Sequence, residues 1–176
     1  MIKNEQIPIS QADAKYKRYI GNGAPKHFLS WSNNLTWRNF DLSVFFRGTF
    51  GFDVFNMRKY GMGLQGCGTD NVLRSAYLED KNIRTGGGVI SSYFLEDGSF
   101  IKLENVTLGY NFTPKNRKLL DNMRIYLSAK NLFTLTGYSG NDPSIIDVNG
   151  IQPGVDSNSA YPTATQLSLG VTLRFK

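Results

Sequence analysis

The last residues of the chain alternate strictly between two kinds of side chain, and this constrains the fold more than any other feature. One set is apolar: Leu167, Leu169, Val171, Leu173 and Phe175. The set between them is polar or glycine: Gln166, Ser168, Gly170, Thr172 and Arg174. Successive side chains of a strand point to opposite faces of a sheet, so this period predicts a strand with one apolar and one polar face.

The same alternation predicts four further strands upstream. Together with the last, the predicted strands lie near residues 28–37, 40–56, 99–112, 123–136 and 164–175. The phase shifts at Glu104-Asn105 and blurs around Asn131 to Phe133, where we expect β-bulges. Aromatic residues make up 13% of the chain and it holds 18 glycines, a composition that favours strands and turns.

The connections between these strands alternate in length. Arg38-Asn39 and residues 113–122 are short, whereas residues 57–98 and 136–163 are long. Unstructured loops of more than about 12–15 residues are uncommon in compact domains, but transmembrane β-barrels combine short turns at one end with long loops at the other. A bilayer needs strands of about 9–11 residues, and these are long enough.

Two fold classes fit the alternation. It predicts either a soluble sandwich whose apolar face is buried in a core, or an antiparallel transmembrane β-barrel whose apolar face meets lipid. Periodicity alone does not separate them. Strand length and the asymmetry of the loops favour the second class, so we predict an all-β fold, an antiparallel transmembrane β-barrel fragment of about five strands.

Three stretches of the chain resemble the C-terminal end of the SusC/RagA-like family of TonB-linked (TonB-dependent) outer-membrane transporters of Bacteroidetes. The stretches are Ile20–Lys26 with Asn39–Ser43 and Gly48–Asn56, then Tyr93–Tyr110, and then Arg124–Pro143. Their order and spacing match the family's end, and Tyr161–Ala164 follows before the terminal strand. Lys176 after Phe175 departs from the family, which commonly ends on an aromatic residue.

The resemblance implies the last five strands of a plugged barrel of roughly 22 strands. Residues 57–98 and 137–163 would be external loops, and residues 1–27 the remainder of a preceding loop. No signal peptide, TonB-contacting segment or plug domain is seen in the sequence. Five strands cannot close a barrel, because single-chain bacterial barrels have even strand numbers from about eight upward. We therefore expect a fragment of a larger transporter.

The same resemblance implies a function, a location and partners. The protein would import oligosaccharides or peptides across the cell outer membrane, working with a SusD-like surface lipoprotein and with the TonB system through the plug. Its remaining partners would be outer-membrane lipid and the barrel-assembly machinery. That machinery reads the C-terminal strand, whose outward residues are Leu167, Leu169, Val171, Leu173 and Phe175. The alternative is a secreted soluble β-sandwich that binds carbohydrate.

Other classes of function find little support in the sequence. The net charge of +6 is dispersed, without the clustered basic face that nucleic acid requires. Cys67 and His27 are each the single residue of their type, which excludes a disulfide framework and the usual zinc sites. The glycine-rich residues 61–68 lack the Gly-Lys-Ser/Thr of a phosphate loop. We predict no enzyme activity, cofactor or metal.

Tyrosines in the long loops are the candidate substrate contacts. Tyr60, Tyr77, Tyr93 and Tyr138, with Tyr161 near the end of the second loop, could stack on sugars or meet a lid protein. Packing within the loops and at the membrane interface is the favoured alternative. Asp97-Gly98 and Asn141-Asp142-Pro143 are better explained as turns than as catalytic or cation-binding carboxylates.

Overall fold

The structure, a computed structural model, describes residues 19–63, 71–78, 90–114, 120–146, 150–157 and 161–176. Its strands are β1 (His27–Trp37), β2 (Phe40–Phe50), β3 (Asp53–Asn56), β4 (Leu95–Asp97), β5 (Phe100–Phe112), β6 (Leu120–Thr136), β7 (Val155–Asp156) and β8 (Gln166–Phe175). The helices are α1 (Met57–Met62), α2 (Ser75–Leu78) and two short 3₁₀ turns at Ser92–Phe94 and Pro143–Ile145. Among these described residues no helix is long and apolar enough to cross a membrane.

The long strands form one five-stranded antiparallel sheet in the order β1-β2-β5-β6-β8. Within this sheet, β1 and β2, and likewise β5 and β6, are joined by short connections, as antiparallel pairing allows. Arg38 closes the first hairpin with φ of 54°. Strand β1 and strand β8 each pair on one side only within the described residues. The all-β antiparallel fold predicted from the sequence is confirmed.

One predicted strand is divided in the structure. The alternation predicted a single strand over residues 40–56, but β2 ends at Phe50 and β3 begins at Asp53. Between them Gly51 has φ of 74°, a conformation that side chains disfavour and that turns the chain out of the large sheet. Strand β3 instead joins a three-stranded sheet of order β4-β3-β7. Phe52 and Val54 keep the apolar period across the break, which is why the pattern could not show it.

Both predicted bulges are present. The pairing of β5 shifts between Leu103 and Asn105, so that Glu104 is the extra residue opposite β2. On β6 the shift falls at Asn131, whose φ of 53° lies in the left-handed region. Asparagine tolerates this conformation better than most residues do. The bulges keep the apolar residues of neighbouring strands on one face in spite of the shift in phase.

The large sheet has two chemically distinct faces. Cross-strand partners share a face, and one face carries rows such as Leu35, Leu42, Leu108, Leu127 and Leu169. We call it the apolar face. The opposite face carries rows such as Asn34, Ser43, Thr107, Ser128 and Ser168. We call it the polar face.

The buried core lies at one end of the sheet, away from the apolar face. It comprises Phe52, Val54, Phe100, Tyr138 and Ile146. The small sheet, α1 and the two 3₁₀ turns together form a unit that we call the cap. Phe100 opens β5 at the long-loop end, so the cap closes over that end of the large sheet. The two long connections are therefore packed against each other through β3, β4 and β7.

Candidate functional site

The apolar face exposes large apolar side chains along its whole width. Leu167 and Leu169 are 71% and 75% exposed, and large apolar side chains are open on all five strands. Monomeric soluble proteins rarely expose a contiguous apolar patch larger than a few hundred Å². No described element covers this face, as a second sheet would in a sandwich. The face is suited to contact with lipid.

The residues predicted for the terminal strand lie together on the apolar face. Leu167, Leu169, Val171, Leu173 and Phe175 pair with β6 and are all exposed. Phe175 pairs with Leu120 at the end where the short turns lie. Strand β8 is thus an edge strand with an apolar outward surface.

The polar face carries an ion pair near the short-turn end. Asp41 on β2 accepts hydrogen bonds from both Nε and Nη2 of Arg124 on β6, and from Nδ2 of Asn111 at 2.7 Å. The fork of an arginine fits both oxygens of a carboxylate. Gly109 on the intervening strand β5 makes this possible, because a Cβ there would lie 2.5 Å from the Asp41 carboxylate.

A tyrosine and a glycine pack across the seam between β6 and β8. Tyr126 lies over Gly170, where a Cβ would be 2.3 Å from Cζ of the ring. The guanidinium of Arg124 lies 5.0 Å from the same ring's centroid. Further along, Thr107 donates to Ser128 Oγ at 3.0 Å. The polar face is therefore a surface of hydrogen-bonded side chains.

At the long-loop end a buried lysine fixes the cap to the large sheet. Lys102 on β5 is 2% exposed, and its Nζ donates to Asp142 at 3.3 Å, Ser144 at 2.8 Å and Thr163 at 2.5 Å. The three donors of the ammonium group thus have three acceptors. Asp142, Ser144 and Thr163 all belong to the second long connection. We call this cluster the pin.

The carboxylate of the pin is held in its charged form. Burial alone would raise the pKa of Asp142, but the hydrogen bonds from Ser144 and Thr163 and the charge of Lys102 outweigh it and lower the pKa to about 2. Its oxygens accept from Ser144 N at 2.9 Å and from Thr163 Oγ1 at 2.6 Å. The bond from Ser144 N is the Asx turn that Asp-Pro predicts.

A second set of polar contacts ties the two long connections together. Glu96 on β4 accepts from Ser139 Oγ at 2.8 Å and lies 3.5 Å from Lys59 Nζ on α1. Tyr138 is 6% exposed and donates to Asp156 on β7 at 2.6 Å. Burial, together with the neighbouring Asp156 carboxylate, raises the pKa of Tyr138 far above its usual value. Tyr138 is therefore a neutral donor inside the cap.

The candidate tyrosines lie in different environments. Tyr60 and Tyr93 both contact Phe94, with ring centroids 5.2 Å apart in each pair. Lys59 Nζ lies 4.4 Å above the ring of Tyr93. Tyr138 is buried as described, whereas Tyr77 and Tyr161 are 57% and 87% exposed. The structure therefore brings Tyr60 and Tyr93 together and keeps Tyr77 and Tyr161 open to solvent.

Sequence reasoning missed the residues that hold the polar face and the cap together, above all Lys102, Asp41 and Arg124. Their positions on the polar phase of each strand were a signal, but the pairing of strands was needed to show which charges meet. Cys67 and residues 64–68 of the glycine-rich stretch lie outside the described residues. Within the described residues no three His, Cys, Asp or Glu side chains form a group that could hold a metal.

Two known receptors are similar to this chain over most of its length. Its alignment with the TonB-dependent receptor P3 of Formosa agariphila spans 188 positions at 28% identity. This alignment covers 95% of this chain and 18% of that receptor. The chain is 28% identical over 153 residues to the TonB-dependent receptor SusC of Bacteroides thetaiotaomicron, covering 82% of this chain and 14% of SusC. No family model matches the chain.

A solved structure shows the same fold. The RagAB peptide importer in its closed-closed state superposes with a TM-score of 0.73 at 23% identity, covering 93% of this chain and 19% of the compared chain. The chain thus spans less than a fifth of the length of each of these relatives.

Proposed function

We propose that this chain, which is similar to SusC and to other TonB-dependent receptors, forms the C-terminal part of the barrel wall of an outer-membrane nutrient importer. The observation that carries the proposal is the apolar face, which is continuous over five strands and exposed on each of them. Hydrocarbon is the environment in which such a face is stable.

The dimensions of the strands support this environment. Strand β8 has ten residues, and at about 3.4 Å per residue such a strand is about 34 Å long. Tilted by about 40° it would rise about 26 Å, close to the apolar band of about 25 Å on outer-membrane barrels. The remaining strands of the large sheet are at least as long.

The proposed orientation follows from the two ends of the sheet. The short connections lie with Lys176 at one end, and outer-membrane barrels keep short turns on the periplasmic side. The cap would then face outward, with residues 57–98 and 137–163 as its external loops. The apolar face would meet lipid and the polar face would line the lumen. Residues before β1 would belong to the preceding external loop.

The cargo and partners belong to the whole importer of which this chain would be a part. RagAB is a peptide importer, and we propose oligosaccharide or peptide as the class of substrate here. A SusD-like surface lipoprotein would sit on the cap, and the TonB system would supply energy through a plug domain. The exposed Tyr77 and Tyr161 are the better placed of the candidate tyrosines to reach the substrate or the lipoprotein. The barrel-assembly machinery would read β8.

The soluble β-sandwich alternative requires the apolar face to be a core. The exposed side chains of β8 and the uncovered rows of the neighbouring strands argue against it. An acid–base enzyme would need a group of titratable residues open to substrate. In the described part of the cap the buried carboxylate Asp142 is instead engaged in internal contacts.

A matched pair of substitutions on one strand tests the proposal. Leu169→Arg places a charge on the apolar face of the sheet. Ser168→Arg, at the adjacent residue, places the same charge on the polar face. Arginine facing lipid near the midplane costs about 2–4 kcal/mol, whereas a lumen position tolerates it. We expect Leu169→Arg alone to reduce the folded fraction in outer membranes, measured by heat-modifiable migration in gels. Equal tolerance of both substitutions would contradict a membrane wall.

A further inference from the structure

The Gly21–Pro25 stretch has a place in the structure that the barrel wall does not require. It precedes β1 and runs across the cap, between β3, β4 and the loop before β7. We propose that this stretch is a strap, which fixes the cap to the wall so that the outer end of this segment is a rigid surface. The inference rests on the proposed function only for the direction in which the cap faces.

The strap crosses the last long connection through two facing glycines. A Cβ on Gly23 would lie 2.0 Å from the carbonyl oxygen of Pro153. A Cβ on Gly154 would lie 2.5 Å from Cα of Gly23, and Gly154 also has φ of 76°. The obstructing atoms are backbone, which cannot rotate away as a flexible side chain does. No residue larger than glycine fits this crossing without moving one of the two segments.

Hydrogen bonds hold the strap to the central strand of the small sheet. Asn22 N donates to Asp53 Oδ2 at 2.8 Å, and Asp53 N donates back to the Asn22 carbonyl at 2.8 Å. Asn22 Oδ1 accepts from Ala24 N at 3.0 Å, an Asx turn that directs the chain onward. Phe55 N donates to the carbonyl of Gly154 at 2.7 Å. The strap and the segment around Gly154, which are far apart in sequence, therefore both bond to β3.

The other end of the strap is part of the wall. Lys26 N donates to the carbonyl of Phe50 at 3.0 Å, and β1 begins at the next residue. The pin at Lys102 joins the same cap to β5 at a second place. A cap that is attached at two separate points has fewer ways to move against the wall than one attached at a single point. We infer that it moves with the wall.

Gly23→Ala tests the strap, with Gly137→Ala as its matched control. A Cβ on Gly137 meets nothing within 4 Å, although this residue also lies in a cap connection. Hydrogen exchange of the intact membrane protein is measured by mass spectrometry, with the amides of Asp53 and Phe55 as reporters. We expect exchange there to accelerate on the order of tenfold in Gly23→Ala and to stay unchanged in Gly137→Ala.

Combining substitutions separates a strap from a general effect on folding. Gly23→Ala should accelerate exchange much less when Gly154→Ala is already present, because both open the same crossing. In a Gly137→Ala background, Gly23→Ala should accelerate exchange by its full factor. Asp53→Ala, which removes only the side-chain acceptor of Asn22 N, gives a second and milder variant. It should accelerate exchange at residues 53–55 by a smaller factor.

Two results would overturn the strap. One is unchanged exchange at Asp53 and Phe55 in both Gly23→Ala and Asp53→Ala. The other is equal acceleration through β2, β5 and β6, which would mean that the whole wall is destabilised. Neither result bears on the pair of arginine substitutions in β8, so failure of the strap and failure of the membrane wall can be told apart.

Discussion

Replacing Lys102 by methionine is expected to open the pin, and so to loosen the part of the cap that the pin holds, while the strap and the large sheet stay in place. Methionine retains much of the aliphatic stem but cannot donate to Asp142, Ser144 or Thr163. Lys102 and Asp142 are 2% and 7% exposed, so water does not take over the lost contacts. The carboxylate would remain buried beside an apolar side chain.

The expected size of the effect follows from these contacts. Removing one partner of a buried ion pair costs about 3–5 kcal/mol, because the other charge stays uncompensated. Asp142 keeps the hydrogen bonds from Ser144 and Thr163, which places the cost near the lower end, about 3 kcal/mol. At about 1.4 kcal/mol per tenfold change, the opening of the cap should become more than about a hundredfold more frequent.

The assay is hydrogen exchange of the membrane protein, measured at the amides of Ser144 and Thr163, both of which donate to Asp142. Amides of β2, β5 and β6 serve as the internal reference for the wall. Lys130→Met is the control, since Lys130 is an exposed lysine on the polar face of the next strand. It removes the same charge without opening a buried pair.

The reasoning would be refuted if Lys102→Met and Lys130→Met gave the same exchange at Ser144 and Thr163. It would also be refuted if exchange rose equally in the reference strands, since the pin would then hold the sheet and not the cap. Adding Asp142→Asn to Lys102→Met should restore part of the protection. The double variant no longer leaves an unpaired buried charge.

Two further predictions concern acid stability and the seam of the last strand. The pKa of Asp142 is lowered from 3.8 to about 2 by folding, so the charged carboxylate stabilises the cap fully above pH 3.8 and loses this effect as the pH falls towards 2. Exchange at Thr163, corrected for its intrinsic rate, should therefore increase only in that acid range, and an increase near neutral pH would contradict the assignment. Gly170→Ala should displace the ring of Tyr126 and lower the unfolding temperature, while it should be nearly neutral in a Tyr126→Ala background. Equal losses in both backgrounds would show that the ring does not pack on Gly170.

The sequence by itself determined the strands and their faces. A period of two is a local property of the chain, so Leu167 to Phe175 could be assigned to one face without any knowledge of what lies beside them. The bulges at Glu104 and Asn131 were visible for the same reason, as breaks of phase. The apolar surface and the resemblance carried by the three stretches followed directly from the order of residues.

Only the tertiary structure decided what lies at the outer end of the wall. The period runs unbroken through Gly51, but the backbone turns there and sends Val54 into a different sheet. Lys102 is buried because its acceptors arrive from positions 40, 42 and 61 residues later in the chain. Gly23 is confined by a carbonyl of Pro153 in the same way. Burial of a charge and exclusion of a side chain both depend on which distant segments meet, and no local pattern encodes that meeting.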